Sequence, residues 1–113
     1  MSEFSFLFRG RQKFESPEQG QKHIQEWIAW FTDLKVKGHL KEQGHPLEFV
    51  GKVVRGTQKV VTDGPYAEAK DVVGGYMVVE ARDLGQAVEL SKGCPILGVG
   101  GSVEVRPNQP MSR

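Results

Sequence analysis

Phe4, Phe6 and Phe8 alternate with Ser5, Leu7 and Arg9, a period of two that predicts a strand with one aromatic face. Gly10 to Glu15 is a polar connection. Ser16, Pro17 and Gln19 then mark a helix start: serine as cap, proline at the first helical position, glutamine three residues beyond the cap. Ile24, Trp27, Ile28, Phe31 and Leu34 recur at helical spacing and predict its buried face, with Gly38 at its end. His39 to His45 holds few apolar residues, enough only for a short edge strand around Leu40. Phe49-Val50, Val53-Val54 and Val60-Val61 flank Arg55-Gly56-Thr57, the pattern of a hairpin, and Gly51 within it points to a bulge or a close backbone approach.

From Val60 the chain reads as a strand, a sharp Asp63-Gly64-Pro65 turn, a short charged segment, and then Gly74-Gly75 feeding a second strand. Tyr76 to Ala81 is apolar on both alternating faces, the mark of a central strand. Asp83 caps a second helix, with Gln86 in the capping-box position and Leu84, Ala87, Val88 and Leu90 inward. Gly93 closes it and Pro95 prevents its continuation. Gly98 to Gly101 is flexible, and Ser102 to Arg106 alternates again, with Val103 and Val105 inward. The order strand, helix, short strand or hairpin, central strand, helix, strand predicts an α+β fold: a ferredoxin-like antiparallel sheet with two main helices on one face. Residues 1–106 form a single domain in this reading, and 107–113 a polar C-terminal tail.

A length of 113 residues fits one domain, and 26% charged against 38% apolar residues suits a globular chain. Acids and bases are interspersed and the net charge is +1, which argues against a nucleic-acid surface. The single cysteine, Cys94, excludes an internal disulfide framework and fits a reducing compartment. The N-terminus lacks the pattern of a signal peptide, and no apolar run reaches membrane-spanning length. The expectation is a cytoplasmic protein without membrane attachment.

Candidate chemistry is sparse. Asp63-Gly64-Pro65 has a complete account as a turn in which the Asp63 carboxylate accepts hydrogen bonds from N–H groups after Gly64. The functional alternative is that this turn presents Asp63 beside a cleft, as a base or an orienting group. His23, Trp27, Trp30 and Leu34 share one flank of the first helix, so two tryptophans beside a histidine either wall a pocket or simply pack. Cys94, placed at a helix C-terminus, reads as a small packed residue rather than a nucleophile. His39, His45 and Glu42 match no zinc spacing, and neither glycine run forms a phosphate loop. No metal and no cofactor are expected.

Thr62-Asp63-Gly64-Pro65-Tyr66-Ala67-Glu68-Ala69-Lys70 resembles the DGPF-domain proteins of the YCII-related family, with Tyr66 where their name has phenylalanine. The similarity continues through Val73-Gly74-Gly75-Tyr76, Asp83-Leu84, Lys92-Gly93-Cys94-Pro95 and Gly100 to Arg106, and more loosely through the Trp27–Trp30 helix. The resemblance implies a dimeric, ferredoxin-related α+β fold. It also implies, for some members, small enzymes that use a histidine and an aspartate, including a dehydrochlorinase-type activity. His23 lies where those members carry their histidine. Their Asp-Pro after the second helix is matched by Cys94-Pro95, which removes a dyad partner. The gene neighbourhood of the DGPF branch implies association with extracytoplasmic-function sigma factors.

Two functional expectations follow. One is a small-molecule-binding or regulatory module with a cleft between the first helix and the Asp-Gly-Pro turn, lined by Trp27, Trp30, Asp63, Gly64, Pro65 and Tyr66. The other is a cofactor-independent isomerase or lyase in which Asp63 or His23 shuttles a proton, and this needs both within reach of a common point. A homodimer is expected in either case. With both helices on one side, either Met77, Val79 and Ala81 or Tyr76 and Val78 must face away from them, and two such faces would pair over about 800 Å² per partner.

Overall fold

The structure, a computed structural model, describes residues 1–10, 14–65 and 71–110. The elements run β1 (Ser2–Arg9), α1 (Pro17–Val36), β2 (Leu40–Glu42), β3 (Gly51–Arg55), β4 (Val60–Gly64), β5 (Val73–Ala81), α2 (Leu84–Ser91) and β6 (Ser102–Pro107), with a 3₁₀ turn over Pro95–Val99 before the last strand. One four-stranded sheet has the order β2-β5-β1-β6, and β3 and β4 form a separate two-stranded hairpin. Every described pairing is antiparallel. With the hairpin treated as an insertion, this is the strand order of a ferredoxin-like sheet.

Alternation decides the layers. Phe4, Phe6 and Phe8 share a face with Met77, Val79 and Ala81, because register places Phe4 opposite Val79 and Phe6 opposite Met77. These residues are buried and pack with Trp30, Leu34, Ala87, Cys94 and Ile96. The helices therefore cover the phenylalanine side, while Leu7, Tyr76 and Val78 stand half-buried on the open side. Near one end, Phe8 pairs with Gly75 but Arg9 with Val73. Gly74 is thus the extra residue of a bulge.

Both helix starts follow from local chemistry. The Ser16 hydroxyl accepts the Gln19 N–H at 3.2 Å, and the Asp83 carboxylate accepts the Gln86 N–H at 2.8 Å. Each glutamine reaches back one residue before the cap, Gln19 to the Glu15 N–H and Gln86 to the Arg82 N–H. The inner face of α1 differs from expectation. His23, Trp30 and Leu34 are its buried residues, whereas Ile24 and Ile28 are 58% and 56% exposed. Trp27 and Phe31 sit between these two lines, partly buried against the core. Helical geometry explains this: Ile24 lies about 100° round the axis from His23, at the edge of what the sheet can cover.

After β2 the chain clings to the edge of β5. The Glu80 N–H donates to the His39 carbonyl at 2.7 Å, the His39 imidazole Nδ1 lies 2.8 Å from the Glu80 carbonyl, and the Leu47 N–H donates to the Gly74 carbonyl at 2.9 Å. The chain then leaves as the β3–β4 hairpin. No helix among the described residues is long and apolar enough to cross a membrane.

Candidate functional site

Helix α1 from Gly20 to Phe31, the loop 43–49, the end of β1 and the bulged start of β5 line a cavity of about 560 Å³. Its walls are mainly aromatic: Phe8 from the sheet, Trp27 and Phe31 from α1, and Phe14 and Phe49 from the loops. Phe8 meets Trp27 edge-on at 4.9 Å between centroids, and Trp27 lies 5.5 Å from Phe31. These contacts fix the tryptophan ring as a rigid wall. The bulge glycines let the opposite wall come close: a Cβ on Gly75 would lie 3.3 Å from the His45 carbonyl oxygen.

Polar groups in the lining are few, chiefly His23, Gln43 and His45, and no Asp, Glu, Lys or Arg is among the described lining residues. His23 is 7% exposed, beside Phe14 at 5.1 Å. Its Nε2 lies 2.7 Å from the Trp27 indole Nε1. An indole N–H can only donate, so Nε2 is the acceptor and the neutral ring carries its proton on Nδ1. That nitrogen faces Glu26 across 4.0 Å, too far for a hydrogen bond. The arrangement holds the imidazole plane and ties up its lone pair. Accepting a substrate proton at Nε2 would first require breaking the bond to Trp27.

The sequence candidates separate in space. His23 and Trp27 line the cavity. Trp30 stands behind it in the core, stacked on Phe6 at 6.2 Å with its indole N–H donated to the Leu90 carbonyl. Asp63 and Gly64 belong to strand β4 rather than to a turn, and neither they nor Pro65 line the cavity. Asp63 is 90% exposed and paired with the Lys52 ammonium, which the hairpin register places directly opposite. A cross-strand partner thus replaces the turn N–H groups expected for it. Tyr66 lies outside the described residues. The cleft's second wall is the loop 43–49 in place of the Asp-Gly-Pro segment.

Phe14, Phe49, Gln43 and His45 were not legible as pocket residues. Phe14 stands just before α1, where it meets His23, and only the loop's path along β5 brings Gln43, His45 and Phe49 to the helix. Gly44 is the one local signal, since its position beside β5 admits no side chain. Cys94 is buried in the core, and burial pushes its thiol up to about 12. Among the described residues no three His, Cys, Asp or Glu side chains are grouped as a metal site needs.

Fold and cavity together define a ferredoxin-like α+β domain with an aromatic chamber between its first helix and the sheet edge. A model of the YCII-related domain matches residues 3–112, and the chain belongs to that family. No curated protein matches it. Among solved structures, 5-chloro-2-hydroxyhydroquinone dehydrochlorinase (TftG) from Burkholderia phenoliruptrix AC1100, in complex with 2,5-dihydroxybenzoquinone, is similar over 95% of this chain and 93% of its own. The identity is 15% and the TM-score 0.49.

Proposed function

We propose that this chain is a small-molecule-binding module whose site is the cavity between α1 and the loop 43–49. The observation that carries the reading is the composition of the walls: rigid aromatic rings, a few polar atoms, and no Asp, Glu, Lys or Arg among the described lining residues. Such a chamber favours a small, planar, uncharged ligand, held by ring contacts and oriented by His23, Gln43 or His45. A carboxylate or phosphate would enter without a cation to meet it.

The isomerase or lyase alternative has less support. It needs His23 and Asp63 at a common point, yet Asp63 is on the hairpin and the Nε2 lone pair of His23 is engaged by Trp27. Titration with indole, 2-naphthol and coumarin, read by tryptophan fluorescence and thermal unfolding, tests the binding reading. A ligand at a hundred times its Kd stabilises by about 2.7 kcal/mol. The expected result is a raised midpoint with at least one of them, abolished in Ile28→Glu, which places a charge at the rim. An unmoved midpoint and unchanged fluorescence with all three would overturn the reading.

A further inference from the structure

Two groups in the wall of the cavity use their hydrogen-bonding capacity on each other. The Trp27 indole N–H, a donor only, lies 2.7 Å from His23 Nε2, which in the neutral ring is an acceptor only. Both residues line the cavity, one helical turn apart on α1. The pair is held in place from all sides. His23 is 7% exposed and lies 5.1 Å from Phe14, and the Trp27 ring is packed by Phe8, Trp30 and Phe31. Gln43 and His45, by contrast, stand on the exposed loop, where water competes for their hydrogen bonds.

A polar group that enters such a chamber loses its water and needs a partner inside. A ligand with only an acceptor would engage Trp27 and leave the Nε2 lone pair unpaired. One with only a donor would engage His23 and leave the indole N–H unpaired. A ligand with both on neighbouring atoms replaces one hydrogen bond by two and leaves no group over. The spacing fits. Nε1 and Nε2 are 2.7 Å apart, and the oxygen and nitrogen of a cis-amide are about 2.2 Å apart, as its C=O and C–N lengths require. The ligand must also be planar to lie among the rings. It must be uncharged, since no Asp, Glu, Lys or Arg among the described lining residues would answer a charge. A ring amide, or lactam, meets all of these conditions, because its N–H and C=O lie side by side and cannot bond each other. A hydroxyl beside a ketone donates to that ketone, so its hydrogen is already engaged.

We propose that the cavity selects planar lactams, with Trp27 and His23 as the specificity-determining pair. The lactam oxygen accepts from the Trp27 indole N–H and the lactam N–H donates to His23 Nε2, in place of the hydrogen bond that the two residues make to each other. No proton changes owner and no covalent bond forms. Gln43 and His45, on the exposed loop, do not choose the ligand's class. The inference rests on the cavity being a binding site and adds the class of ligand it takes.

The test compares three bicyclic probes of similar shape by calorimetric titration. They are 2-quinolone, a lactam; coumarin, which has a ring oxygen where 2-quinolone has its N–H; and 3-hydroxychromone, a hydroxy-ketone. One net hydrogen bond is worth roughly a factor of ten in Kd, so 2-quinolone should bind wild type roughly tenfold more tightly than either of the others. In Trp27→Phe and in His23→Leu the preference should disappear, with coumarin still bound to show that the cavity is intact. Gln43→Ala/His45→Ala should keep it. Independently of any variant, the Trp27 indole N–H resonance of wild type should move when 2-quinolone is added. Equal binding of 2-quinolone and either other probe, a preference that survives in both single variants, or an unmoved Trp27 resonance would each overturn the lactam proposal. Coumarin binding in any of those cases would leave the cavity reading standing. Failure of all three probes to bind would bring down the cavity reading and the proposal together.

Discussion

Gly44 holds a φ of +68°, and a Cβ built there would stand 1.9 Å from the Tyr76 carbonyl oxygen. The backbone conformation disfavours a side chain and the space excludes one. Gly44→Ala should therefore push the loop 43–49 away from β5, at about 1–3 kcal/mol in urea unfolding, and weaken probe binding with it. An unchanged midpoint would mean that the loop is not pressed on the strand. Cys94 makes the opposite case, a residue whose chemistry the fold suppresses. Its thiol rises from 9.0 to about 12 because burial opposes the charged form. The stability held in the neutral thiol is complete below about pH 9 and fades as the pH climbs toward 12. A thiol-specific disulfide reagent at pH 8 should label the protein only after unfolding, and rapid native labelling would contradict this.

The two helices show how far local rules reach. Cap residues and a proline set the start of α1, and Asp83 sets that of α2, because the groups they satisfy lie within one turn. The Asp83 carboxyl is held below its usual value of 3.8, first by the Gln86 backbone N–H and then by the Arg82 side chain. A lowered folded value gives stability that is present above the unfolded pKa and lost as pH falls through the folded one. Asp83→Asn keeps an acceptor without the charge. Its urea midpoint should match wild type less closely near neutrality than at a pH below the lowered folded pKa of Asp83, where both caps are uncharged; parallel pH profiles would show that the charge contributes nothing. Strand β4 marks the limit of local reading. Asp63-Gly64-Pro65 has turn composition, but cross-strand pairing to Gly51 and Lys52 carries the strand through Asp63 and Gly64.

At the scale of the molecule, the four-stranded sheet and two helices form the core without the hairpin, and no hairpin residue belongs to that core. Replacing Lys52–Asp63 by a short Gly-Ser link should leave a cooperatively unfolding domain. Loss of cooperative unfolding would show that the arm is part of the core.

Alternation, helix spacing and caps by themselves determined the elements and their order, because those preferences act over a few residues. The same patterns placed His23 and Trp27 on one flank of α1. Which sheet face the helices cover was undecidable locally, since one residue of register exchanges Phe6 with Leu7. Only the assembled sheet decided it, by setting Phe6 against Met77 beneath Trp30. The cavity likewise exists because the loop 43–49 follows the edge of β5 to the side of α1. That position depends on strand neighbours distant in sequence, Pro46 with Gly75 and His39 with Glu80, and no local pattern in the loop encodes it.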